Sequence, residues 1–379
     1  MKPIYLDYNA TTPVAPSVIE AMQPFFARFY GNASSLHSIG RAAAEAIADA
    51  RAQVAAMLAC DADEIVFTSG GTESNNLAIK GIMLGGNIKA GGHLVISSIE
   101  HPATTEPAKF LQKLGFEVTV VQADSNGIVQ PTAVERALRK TTRLVSVMHA
   151  NNETGIVQPI RAIAEICHAR AIPIHSDAAQ TIGKIPVQAD LLDVDLLSIA
   201  AHKFYGPKGV GALYVREGLD LEPAVHGASH EWGLRPGTEN TAGIVGLGKA
   251  SSMAARAIGE TTERISQLRD RLQQRLQTEI GNGLIVNGAN VDRLPNTLSM
   301  ILPGVDSHKL LQRCPEICAS TGAACHSGTS HVSGSLDCLG ITADQARGAL
   351  RISVGLYTSG ENIEAAADAI VSAWEATVA

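Results

Sequence analysis

No basic stripe runs along this chain. Its 30 lysines and arginines face 37 acidic residues, for a formal net charge of −7. Without an excess of positive charge, the main attraction toward a phosphate backbone is missing, and nothing favours a nucleic-acid partner. Long apolar runs are missing as well: none reaches the roughly 18 residues of a membrane span. The opening MKPIYLDYNATTP has neither the basic head nor the apolar core of a secretory signal. A cytoplasmic protein, away from membranes, is expected. Cysteine is sparse, with 6 residues in 379, and without an export signal a disulfide framework is not expected. The pair in CPEIC, Cys314 and Cys318, has thiols of the kind zinc takes, but no second pair matches it. Buried apolar thiols are the better reading, and no metal site is expected.

What the chain does have is apolar material and glycine, 45% hydrophobic residues and 35 glycines. That suffices for one large domain and a smaller one. From about residue 45, helical patterns such as AAAEAIADARAQVAAML and PIRAIAEICHARA alternate with short β-rich runs. EIVFTSG, HLVISSIEH, EVTVVQAD, RLVSVMHANN, IPIHSDAA and DLLSIAAHK are those runs. Such alternation predicts an α/β fold with a mostly parallel sheet covered on both faces. Reactive groups in such sheets gather beyond the carboxyl ends of the strands, where this sequence puts Thr72, His101, Asn152, Asp177 and Lys203. After about residue 250 a charged amphipathic segment, ERISQLRDRLQQRLQTEI, precedes β-rich LPNTLSMILPG and ALRISVG. This part reads as a smaller α+β domain. The large domain is placed at 16–249, and the small one at 1–15 and 250–379.

Seven stretches carry candidate chemistry. In FTSGGTESNN, Gly70 and Gly71 lead a strand into a helix near Thr72. Such a turn admits an anion to the helix N-terminus, or is simply a glycine-rich turn with Thr72 as cap. In HSDAAQ and AAHKFYGPKG, Asp177 closes one strand and Lys203 follows the next, 26 residues later. A carboxylate and an amine so placed suit pyridoxal 5'-phosphate: the acid keeps the pyridine nitrogen protonated and the lysine forms a Schiff base. A structural Asp–Lys ion pair at a sheet edge is the alternative; the anion cradle upstream tips the balance toward the cofactor. SIEHPA offers His101 for stacking on a flat ring or relaying protons, and HANNETG offers Asn151 and Asn152. ALRISVG puts Arg351 on a strand, either to grip a carboxylate or to form a surface salt bridge. Finally, GAACHS sets Cys325 beside His326 in a stretch with no helical or strand period.

The ordered set YLDYNATTPV, GNASSLHSIGR, FTSGGTESNN, IEHPA, ANNETG, HSDAAQTIGK, AHKFYGPKGVGALY, RPGTENT, RLPNT and LRISVG resembles the cysteine desulfurase/selenocysteine lyase family. These are pyridoxal-phosphate enzymes of the class V aminotransferase-like group, with the fold-type-I, aspartate aminotransferase-like architecture. GAACHS and RPGTENT are more similar to the selenocysteine lyase branch. The resemblance implies that Lys203 holds the cofactor, Asp177 meets its pyridine nitrogen and Gln180 its ring hydroxyl, and His101 stacks on the ring. It implies Thr72 and His202 at the phosphate, with Thr238 reaching the phosphate of a partner subunit, hence a homodimer. Asn152 and Arg351 would orient the substrate carboxylate. Cys325 would accept the chalcogen as a thiolate, assisted by His326, His331 or His101, and pass it to an acceptor protein. Many cysteine desulfurases have serine three residues before the lysine; Ala200 stands there, which implies one phosphate hydrogen bond fewer. The expected reaction is removal of the β-chalcogen from L-cysteine or L-selenocysteine, leaving L-alanine. A dedicated selenocysteine lyase, or an aminotransferase on the same scaffold, is the alternative.

Overall fold

The computed structural model describes residues 3–86, 91–322 and 332–378. A short first strand, β1 (Ile4–Tyr5), is followed by seven that form one sheet. They are β2 (Ile65–Thr68), β3 (His93–Ser97), β4 (Glu117–Val121), β5 (Thr142–Ser146), β6 (Ile174–Asp177), β7 (Leu196–Ala200) and β8 (Gly211–Val215). Their order is β2-β8-β7-β6-β5-β3-β4. The pairs β3–β4, β3–β5, β5–β6 and β6–β7 are parallel, whereas β8 runs antiparallel to both its neighbours. The reason lies in chain length: residues 201–210 between β7 and β8 include no long helix, and a parallel return needs a crossover of a dozen or more residues.

Both faces of this sheet are covered, which is why its strands read as unbroken apolar runs. Val95, Val145, Leu197, Ala212 and Tyr214 join one buried cluster, with the helices Ser38–Leu58 and Thr241–Ala257. Their neighbours Leu94, Ile96, Leu144, Leu196, Leu213 and Val215 join the opposite cluster, under the helix Gly71–Leu84. The period of 2 along each strand sorts adjacent residues to opposite faces.

A second sheet has the order β12-β13-β10-β9, from β9 (Ile285–Val286), β10 (Thr297–Ile301), β12 (Ser320–Thr321) and β13 (Ala349–Ser353). β11 (Ile317–Cys318) pairs instead with β1. The helices Glu260–Ile280 and Gly360–Val378 bury Leu272, Leu276, Ile363 and Ile370 against Leu298, Met300, Leu350 and Ile352. Leu6 and Cys314 belong to this core. The expected boundary at 249–250 falls within the helix Thr241–Ala257, whose Ala254 packs in the large core. No helix among the described residues is long and apolar enough to cross a membrane.

Candidate active site

Because β2, β3, β5, β6 and β7 all run the same way, their carboxyl ends deliver side chains to one edge of the sheet. A cavity of about 430 Å³ opens there, lined by Thr72, His101, Asn152, Asp177, Gln180, His202, Lys203 and Arg351, with Asn9 and Ala200. Eight of the expected site residues thus meet in one place. Thr238 is exposed and outside it. Cys325, His326 and His331 lie outside the described residues.

At one wall, β2 is joined to the next helix through Gly70, whose φ of +147° is a conformation side chains rarely tolerate. The helix begins at Gly71, with no side-chain cap. Thr72 is therefore inside the first turn, not the cap, and its hydroxyl is left to the cavity. The first amides of a helix have no carbonyl one turn back, and the dipole is positive there. His202 lines the same cavity, its Nδ1 3.1 Å from Thr11 Oγ1. Burial, then the nearby Lys203 and Lys208, press the His202 imidazolium down to about 4, so the ring is neutral at ordinary pH. Ala200, almost fully buried, closes this wall without a hydroxyl.

Asp177 ends β6 at the cavity floor. One carboxylate oxygen accepts from Asn75 Nδ2 at 2.8 Å, the other from the Ala179 amide at 2.9 Å. Both bonds hold the plane of the carboxylate fixed. The edge ion pair considered from the sequence is not what forms. β6 is interior to the sheet, and Lys203 Nζ donates to the carbonyls of Asn9 at 2.7 Å and Ala10 at 2.9 Å. Burial lowers the Lys203 amine to about 8; Arg351 pushes the same way, while Asp177 and Asp7 oppose.

His101 caps the helix Pro102–Lys113, its Nδ1 accepting from the Ala103 amide at 3.0 Å. That bond requires an unprotonated Nδ1 and leaves the proton on Nε2. Burial, opposed by Asp177 and aided by Lys203, lowers its titration below the usual histidine range.

Arg351 leaves β13 toward the same cavity. Its Nη2 donates to Asp7 Oδ1 at 2.6 Å and its Nη1 to the Asn152 carbonyl at 3.0 Å. Its Nε is buried with no protein partner among the described residues. The salt bridge read from the sequence exists, but it is half-buried in the site instead of on the surface.

Asp7, Asn9 and Asn75 carry no role in the sequence reading. Asn9 is a hub: its carbonyl accepts from Lys203 and Gln180, its Oδ1 from Lys184 and Asn296. Its Nδ2 donates to Thr297 and Asn152. The only sequence signal was YLDYNATTP as part of a family pattern.

The residues fit pyridoxal phosphate. Unpaired helix amides with Thr72 and His202 suit a phosphate, the fixed Asp177 carboxylate suits a pyridinium, and a lysine amine lowered to about 8 suits an aldehyde.

Comparison with known proteins agrees. The family model "Aminotransferase class-V" matches residues 4–366. "Cysteine desulfurase IscS" of Dictyoglomus turgidum is 44% identical over 369 residues, covering 97% of this chain and 93% of that protein. A solved "NIFS-LIKE PROTEIN" superposes with a TM-score of 0.91 at 36% identity, covering 98% of both chains. The structure "SspA in complex with cysteine" gives 0.83 at 35% identity, over 94% of this chain and 99% of that one.

Proposed function

Because this chain belongs to the class-V aminotransferase family, in its cysteine desulfurase group, we propose that it takes the sulfur from L-cysteine onto Cys325 and releases L-alanine. The observation that carries this reading is the meeting of Lys203, Asp177 and Arg351 in one cavity.

Pyridoxal phosphate, when bound, supplies an electron sink for negative charge developing at the substrate Cα. Thr72, His202 and the first amides of the helix Gly71–Leu84 would hold its phosphate, and Asp177 its ring nitrogen. Arg351 binds the α-carboxylate of the substrate, its buried Nε being the donor not yet used. Lys203 takes the proton from Cα. With its amine at about 8, roughly a tenth is already neutral at pH 7, far more than for an ordinary lysine. His101 offers its Nε2 proton to the cavity.

Cys325 then acts as thiolate. An S–S bond forms between its sulfur and the substrate sulfur while the Cβ–S bond breaks. The electron pair stays with Cβ, which takes up a proton, so that cysteine and a thiol become alanine and a persulfide. The chain on either side of the Cys325 segment is anchored beside Asn152 and Arg351, which supports this reading. Ser320 pairs with Arg351 across β12–β13, and Ser333 donates to Glu153. The persulfide sulfur would leave on an acceptor protein.

Selenocysteine stays a second substrate for test, on the motifs that resemble the lyase branch. We also infer a homodimer, in which Thr238 completes the partner's phosphate site. Phe26 and Tyr30, each 68% exposed, and Leu36, 87% exposed, are large apolar side chains close in sequence that a second copy would cover. Side-by-side kinetics on L-cysteine and L-selenocysteine test the reading. Wild type should give alanine and sulfide from cysteine, and Cys325→Ala should lose that activity. Full retention on both substrates would sink the nucleophile assignment, and amino transfer to a keto acid would favour an aminotransferase.

A further inference from the structure

Lys184 is a half-buried lysine that the reaction above does not use. Its Nζ donates to Gln180 Oε1 at 2.9 Å and to Asn9 Oδ1 at 3.2 Å. The charged groups that face it are Lys203 and Arg351, both cations, and together with burial they lower its amine well below the ordinary lysine range. No carboxylate among the described residues pairs with it, so holding an amine here is costly. A methionine-like side chain would fill the same space without that cost.

The partners give the amine a purpose. An amide side chain has one accepting and one donating end, and its neighbours decide which way it points. Lys184 is a donor, so it fixes Oε1 of Gln180 on its own side. The Gln180 amide nitrogen must then face away from Lys184; it donates to the Asn9 carbonyl at 3.0 Å and has a second N–H to spare. That same carbonyl accepts from Lys203 at 2.7 Å. Gln180 lines the cavity, and its donor end therefore sits next to the Lys203 amine.

We propose that Lys184 is a positioning residue: by orienting the Gln180 amide and the Asn9 side chain, it makes the cavity wall beside Lys203 a hydrogen-bond donor. This rests on the reading that pyridoxal phosphate occupies the cavity. The phenolic oxygen of that cofactor is ortho to the aldehyde carbon that Lys203 would take, so it falls beside the Lys203 nitrogen. A donating Gln180 stabilises this oxygen in its ionised form. A flipped Gln180 offers it an acceptor and favours the protonated form. The two forms differ in colour, one absorbing in the visible and the other in the near ultraviolet.

The test is made on the holo-protein at one fixed pH. Lys184→Met removes the donor at similar length, and Lys184→Gln restores an N–H. The ratio of visible to near-ultraviolet absorbance, the rate of cofactor loss on dilution and the melting temperature are read together. Lys184→Met should shift the ratio toward the near ultraviolet at least twofold and release cofactor about tenfold faster, the scale of one lost hydrogen bond. Lys184→Gln should keep the wild-type ratio. Gln180→Glu, which leaves Lys184 in place but offers only an acceptor, should reproduce the spectral shift even where Lys184→Met folds poorly. An unchanged ratio in both Lys184→Met and Gln180→Glu overturns the proposal, as does an equal shift in the Met and Gln variants at position 184. A wild-type protein that takes up no cofactor overturns the functional reading itself, and this proposal with it.

Discussion

Arg351 is gripped before any substrate arrives: its Nη2 lies 2.6 Å from Asp7 Oδ1, a bond between residues 344 positions apart. The bond forms because the N-terminal segment lies along the end of β13, with Asp7 bridging to Ser353 and the Asn9 amide donating to Ser353 Oγ. Asp7 uses one donor of the guanidinium and fixes the plane of the rest. Asp7→Asn should therefore raise the KM for the amino acid about tenfold, the scale of one charge-assisted hydrogen bond. The kcat should change less than threefold, since no reacting group is touched. Steady-state kinetics decide; a fall in KM would mean that Asp7 competes with substrate instead of aiming Arg351.

Asn75 holds Asp177 from the helix Gly71–Leu84, with its own Oδ1 buried and unbonded among the described residues. Its loss frees the carboxylate to rotate. Asn75→Ala should weaken retention of pyridoxal phosphate about tenfold, measured as cofactor released on dialysis. Retention equal to wild type would show that Asp177 needs no such support.

Lys203 at about 8, against 10.5 for a free lysine, has a sign that stability can report. The unfolded chain binds the proton up to about 10.5, the folded chain only to about 8. The cost of burying the cation is thus complete below pH 8 and fades as pH rises toward 10.5. It is about 3 kcal/mol. The cofactor-free Lys203→Met variant should be more stable than cofactor-free wild type at pH 7 by about 2 kcal/mol, after the loss of two hydrogen bonds. That gap should close by pH 10.5. Denaturant unfolding at several pH values checks it, and a constant gap would refute the cause.

Glu100, next to His101, is the mirror case. With its carboxyl group buried, it is pushed up to about 8, chiefly by desolvation, with Ser97 and the Met148 amide holding one oxygen. Its folded pKa is raised, so the folded state keeps a proton that the unfolded state has lost between about pH 4.5 and 8. Stability falls across that window. Glu100→Gln, which cannot ionise, should match wild type near pH 4.5 and exceed it by a few kcal/mol at pH 8. Parallel pH–stability curves for the two proteins would contradict this.

Much of the fold was legible because buried parallel strands announce themselves as short apolar runs. The runs ending at Thr68, Ser97, Ser146, Asp177 and Ala200 are strands, and the residues beyond them line the cavity. β8 escaped notice since its apolar run is only four residues long and follows the glycine-rich GPKGVG, and nothing local tells that a short turn reverses the chain. In the site, Lys203, Asp177 and Arg351 were found by residue type and strand position. Asp7, Asn9, Asn75 and Lys184 were not, because each acts through a hydrogen bond to a distant segment. Asn9 meets Asn296 and Thr297 only after two sheets have packed. No periodicity encodes such a contact.

The most direct measurement follows the sulfur atom itself. Holo-protein is given one equivalent of L-cysteine without reductant, alanine is quantified, and the peptides are mapped by mass. The expected result is one alanine per chain and the mass of one sulfur added to the peptide carrying Cys325, with neither product in Lys203→Ala. Alanine formed with no sulfur on Cys325, or full turnover in Lys203→Ala, would contradict it.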